Sequence, residues 1–171
     1  MKKPEFIMPP NIIKAKVGSG GLSDAIIERA QDLLENNSQD FAPLAEIYLE
    51  KLQKGIDYIV SLDDPNMLKD ESVVGLIVFP AMQLKSNGGM FHYPLVTRVA
   101  DCFLNFIEAV ERTDPEILEI AQAFHTAVRV VVAGKIQGSG GVHGDALVME
   151  LNNACMRYIE KYKDTIDLDK G

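Results

Sequence analysis

Apolar residues recur at intervals of three and four along six successive stretches of this chain, each closed by proline, glycine, or neighbouring Asn or Asp residues. An α-helix turns once per ~3.6 residues, so this spacing gathers apolar side chains on one face that has to be buried. The first stretch follows Ser23, a suitable N-cap, and places Ile26, Ala30, Leu33 and Leu34 together before Asn36-Asn37. The second starts at Ser38, tolerates Pro43 in its first turn, and aligns Phe41, Leu44, Ala45, Tyr48, Leu52, Ile56, Ile59 and Val60 up to Asp63-Asp64-Pro65. The third, about 67 to 90, contains the β-branched run Val73-Val74-Gly75-Leu76-Ile77-Val78-Phe79, which alone reads equally as a buried strand. No neighbouring segment offers a strand partner, and a lone strand leaves its backbone groups unpaired, so the expectation is a helix with a kink at Pro80 and a fraying end at Gly88-Gly89.

Pro94 opens the fourth stretch, with Val96, Val99, Phe103, Phe106 or Ile107, and Val110 inward. Asp114-Pro115-Glu116 starts the fifth, which is expected to bury Ile117, Leu118, Ala121, Phe124, Val128, Val131 and Ile136. After Gly138 to Gly141, Asp145 is the expected cap of a last helix with Leu147, Leu151, Cys155, Tyr158, Ile159 and Tyr162 inward. Six amphipathic segments with short connections predict an all-α bundle. Pro4, Pro9, Pro10 and the glycines at 18, 20 and 21 predict an extended N-terminal arm over 1–21, ahead of one helical domain over 22–163 and a C-terminal tail over 164–171.

Length and charge narrow the function classes. A chain of 171 residues is long enough for one sizeable core, and 47% hydrophobic with 25% charged residues is an ordinary globular balance. The net charge of −8 disfavours nucleic acid and anionic membrane as partners, because both require clustered Lys and Arg. No apolar run approaches the ~20 residues of a membrane span, and no apolar stretch follows the N-terminal lysines as in a secretory signal. Cys102 and Cys155 each sit in an apolar helical pattern and read as small buried hydrophobes of a reducing compartment, ahead of a disulfide or metal pair as the alternative. The expectation is a cytoplasmic protein without a cofactor or metal.

Residues 81–98 carry the most information. On a helix Met82, Lys85, Ser86 and Gly89 share one face, while Ile77, Ala81, Leu84 and Gly88 share the core face. The first face is then a shallow outer patch: a methionine, with Gln83 beside it, a cation one turn later, and small residues that admit a partner's backbone. The segment resembles the signature helix of the histidine phosphotransfer (Hpt) domain, H-x-L-K-G-x-[small]-x-x-[apolar]-G. Leu84, Lys85, Gly88 and Phe91 match in register, Ser86 stands at the usual first glycine, and Tyr93-Pro94-Leu95-Val96-Thr97-Arg98 is similar to a bacterial subgroup. The similarity is concentrated in residues 81 to about 110. It implies an up-down four-helix bundle of Hpt type with an additional C-terminal helix, and a receiver domain or histidine kinase of a two-component phosphorelay as partner.

The resemblance places the phosphoryl-accepting histidine on Met82. An imidazole nitrogen is a nucleophile near neutral pH, whereas a thioether has no ionisable proton and cannot carry the phosphoryl group in its place. Lys85 falls on the lysine that offsets phosphoryl charge, and His92 falls where glycine is usual. The implied protein is a non-catalytic adaptor whose docking face comprises Met82, Gln83, Lys85, Ser86 and Gly89. The alternatives are an active phosphotransfer protein using His92, His125 or His143, and a structural bundle outside signalling. Ordinary readings of those histidines are a loop residue for 92, a hydrogen-bonded semi-buried residue for 125 and a solvated loop residue for 143, and their spacing forms no local metal pattern. The glycine runs 18–21 and 138–141 lack phosphate-loop spacing and read as linkers leading into helices.

Overall fold

The computed structural model describes residues 22–35, 39–62, 70–110 and 115–168, with the side chains of 34, 35 and 163–168 left aside. The expected N-terminal arm over 1–21 lies outside the described residues. Among those described there are six helices and no strand: α1 (Asp24–Glu35), α2 (Ala42–Leu62), α3 (Glu71–Met90), α4 (Pro94–Ala109), α5 (Pro115–Ala133) and α6 (Gly141–Leu168). The β-branched run 73–79 is therefore helical. The chain divides into two compact units, residues 1–37 and 38–171. The first contains α1, whose apolar side chains Ile26, Ile27 and Leu33 are exposed, as is Leu22 just before it.

In the second unit, α2 packs on α3, α3 on α4, α4 on α5, and α5 back on α2, so these four helices enclose one core; α6 lies against α4 and α5. Residue pairs fix the directions. Glu46 pairs with Arg129 and Gln53 with Gln122, so α2 and α5 run antiparallel. Gly88 lies against Tyr93 and Thr97 while Lys85 reaches Asp101, so α3 and α4 do too. Arg98 to Asp145 and the Phe106–Tyr158 ring pair make α6 parallel to α4. Phe41 stacks on Phe91 and tilts against Tyr93, each at 5.2 Å between ring centres, and seals one end of the core.

The expected core face of α3 is observed: Ile77, Ala81, Leu84 and Gly88 are all buried. Gly88 is not a fraying end. A Cβ there would stand 2.8 Å from Thr97 Oγ1 and 3.0 Å from the Tyr93 carbonyl oxygen, so the missing side chain is what lets α4 start this close. Asp70 caps α3, its carboxylate accepting from the Ser72 N–H at 2.9 Å.

Several expected boundaries move. Ser38, Asp63 to Pro65 and Asp114 lie outside the described residues; α2 begins at Ala42, whose N–H donates to Asp40 Oδ1 at 3.0 Å. Val60 is exposed instead of buried, because it follows the inward Ile59 and one further residue rotates the side chain by about 100°. Ile136 is exposed and outside α5. That helix closes earlier: the N–H groups of Ile136 and Lys135 donate to the carbonyls of Val131 and Val132 while Lys135 takes φ 50°. Asp145 does not cap α6, which already starts at Gly141 with Ser139 Oγ accepting from the Gly141 N–H at 3.3 Å. α6 also continues to Leu168, into the segment expected as a tail.

Candidate functional site

The outer face of α3 is built by the same spacing that builds its core face. Met82 is 50% exposed, Ser86 and Gly89 are exposed one and two turns on, and exposed Phe79 continues the line toward the N-terminus. Ser86 Oγ donates to the Met82 carbonyl at 2.8 Å, which turns its hydroxyl into the helix and leaves a smooth surface beside the thioether. Asn87 Nδ2 similarly donates to the half-buried Gln83's carbonyl at 2.7 Å.

Lys85 is paired with an acid of the next helix. Its Nζ sits 2.5 Å from Asp101 Oδ1 on α4, and Thr97 Oγ1 donates to the Lys85 carbonyl at 2.9 Å. Both side chains of the ion pair are more than 40% exposed, so water screens the pair and its stabilising contribution is small. Its effect is positional, keeping the ammonium on the α3–α4 seam. Asp101 lies outside the 81–98 segment from which the docking face is read. Lys85 and Asp101 lie eight residues on either side of Tyr93, so the fold-back at 91–93 brings them opposite each other.

The three histidines are not brought together. His92 follows α3 with φ 65°, the left-handed region that glycine favours. Its N–H donates to Gly89 and the Tyr93 N–H donates to Gly88, closing α3 with the paired bonds that commonly accompany such a residue. The His92 carbonyl accepts from the Gly138 N–H at 2.8 Å, which ties this turn to the α5–α6 turn. His143 is exposed in the first turn of α6 and not in a loop. Among the described residues no group of three or more His, Cys, Asp or Glu is placed to hold a metal ion.

His125 is 4% exposed on α5. Its Nδ1 lies 3.4 Å from Gln122 Nε2, and it bonds the Leu49 backbone, while Gln122 exchanges two amide hydrogen bonds with Gln53 at 2.9 and 3.0 Å. Burial lowers the pKa of this imidazole, the Arg129 charge lowers it further, and the Leu49 bond opposes both. The unfolded chain therefore takes up this proton more readily than the folded one. Stability from the neutral ring is complete above the ordinary histidine value of about 6.5 and falls as pH drops through it toward the lowered folded value. Melting temperature is expected to fall by on the order of 2–4 °C between about pH 7.5 and pH 5 from this group. Thermal scans of the parent and His125→Gln check this; identical slopes in both would show the ring makes no such contribution.

Beside the α3 face lies a groove of about 830 Å³ between α2 and α3, floored by Gly55, Leu76 and Phe79 with Lys51, Lys54 and Tyr58 on the α2 side. No described helix is long and apolar enough to cross a membrane.

No family model, curated protein or solved structure matches this chain. The site is thus read from its own geometry.

Proposed function

We propose that the outer face of α3 is the docking surface of an Hpt-like adaptor in two-component signalling, one that meets a receiver domain or a kinase's dimerisation region without accepting phosphate. The observation that carries this reading is the half-exposed Met82 thioether at the acceptor register, flanked by exposed Ser86 and Gly89. Met82 supplies the apolar centre of the contact, the small residues admit the partner's backbone, and Lys85, steered by Asp101, meets the acidic pocket of a receiver. Two further features support the register. The four antiparallel helices of the second unit suit the implied bundle, and His92, where the resemblance calls for glycine, has a backbone conformation natural to glycine.

Calorimetry against the receivers and kinases of the source organism is expected to find at least one that binds. Met82→Glu is expected to weaken that complex by roughly tenfold or more, with unchanged helical circular dichroism. Absence of binding across the whole set removes the proposal. With radiolabelled ATP and an active kinase the parent protein is expected to stay unlabelled, and Met82→His to gain acid-labile label. Label on the parent at His92, His125 or His143 would show a working carrier instead.

A further inference from the structure

The two cysteines, 53 positions apart in sequence, converge between α4 and α6. Both line an open pocket of about 380 Å³, together with Arg98, Asp101, Asn152 and Met156. Cys155 is 4% exposed on the inward face of α6, while Cys102 is half-buried on α4, with its sulphur 4.0 Å from Asn152 Oδ1. Each thiol is the other's main electrostatic neighbour: Cys155 lowers the pKa of Cys102, and Cys102 raises that of Cys155. Packing alone does not call for this arrangement, since either sulphur could have been any small apolar group.

We infer that Cys102 and Cys155 form an oxidisable dithiol, which hydrogen peroxide converts to an intrachain disulfide joining α6 to α4. The roles follow from position. Cys102 opens to the pocket and meets the oxidant; Cys155 lies behind it and resolves the product. Cys155 lowers the pKa of the Cys102 thiol against the opposing effects of burial and the Asp101 charge. The same pairing and burial hold Cys155 protonated. Cys102 is therefore the one that ionises first.

In the first step the Cys102 thiolate attacks a peroxide oxygen, the O–O bond breaks, and hydroxide leaves to become water. The product is the Cys102 sulfenic acid. In the second step the Cys155 sulphur attacks the Cys102 sulphur, the S–O bond breaks, and the departing hydroxide takes the Cys155 proton as water. Two thiols lose two electrons and two protons, and one peroxide becomes two waters. Oxidation also removes the thiolate beside Asp101, the residue that anchors Lys85, although the dithiol stands independently of any docking role.

The test treats the full chain with hydrogen peroxide, then maps peptides by mass spectrometry without reduction. The expected result is a Cys102–Cys155 linked peptide pair lighter by two hydrogens, loss of both reactive thiols, and full reversal by dithiothreitol. Cys155→Ser is expected to leave a Cys102 sulfenic acid that dimedone captures, whereas Cys102→Ser leaves Cys155 unlabelled. The wild-type map needs no variant to fold. Two free thiols after treatment, linkage only between separate chains, or a dimedone adduct on wild-type Cys102 without the linked pair would each overturn the inference.

Discussion

Replacing Phe103 with alanine is expected to lower the free energy of unfolding by about 3–5 kcal/mol. Phe103 is 1% exposed on α4, and its ring lies 5.1 Å from that of Phe124 on α5 at an angle of 48°. Truncation removes the transfer energy of the ring, its aromatic pairing, and the contacts of every side chain left facing the void. Because α4 touches α3, α5 and α6, few of its neighbours can relax inward without leaving others. Urea denaturation should show a lower midpoint with an unchanged slope, the sign of lost stability without a changed unfolded state. Phe79→Ala supplies the control, since that ring is exposed on α3 and its loss should change stability by no more than about 0.5 kcal/mol. Equal losses from both would show that the core does not run between α4 and α5 as described.

The same substitution at two glycines is expected to act with opposite sign. Gly55→Ala should cost about 1–3 kcal/mol, while Gly75→Ala should add about 0.5–1 kcal/mol. Pro80 has no N–H, so the carbonyl of Leu76 loses its usual helical donor, although α3 continues through the proline. That carbonyl faces α2 at Gly55: a Cβ there would stand 2.7 Å from the oxygen and 3.0 Å from its carbon. Glycine instead presents a hydrogen, which can make a weak C–H···O contact with the orphaned acceptor. Adding a methyl group removes that contact and pushes the helices apart. At Gly75 nothing lies within 4 Å of the same direction, so alanine gains helix propensity without a clash. Chemical denaturation of the two variants side by side reads the signs, and a stabilising Gly55→Ala would contradict the close approach of α2 and α3.

The periodicity of the chain specified the helices because burial on one face is a local property of spacing. Ile77, Ala81, Leu84 and Gly88 were legible as a core face, and so was the outward direction of Met82. What spacing does not encode is where a helix stops when the stopping residue is not a typical one. Ile136 kept the apolar rhythm of α5, but Gly134 and the left-handed Lys135 ended the helix before it. Asp145 looked like a cap because acids favour helix starts, yet its carboxylate is engaged by Arg98 at 2.8 Å across α4 and α6. Partners from distant positions were hidden for the same reason. Asp101 beside Lys85 depends on the fold-back at 91–93, and the meeting of Cys102 with Cys155 depends on where α6 settles, which no local pattern states.

The closed ring of α2 to α5 has a bearing on biosynthesis. Every member of that ring has been synthesised once the ribosome passes Ala133, while α6 is still to come. In order of synthesis the helices of the ring therefore all precede α6, whose Leu151, Cys155 and Tyr158 fill the remaining seat against a core whose other walls are already made.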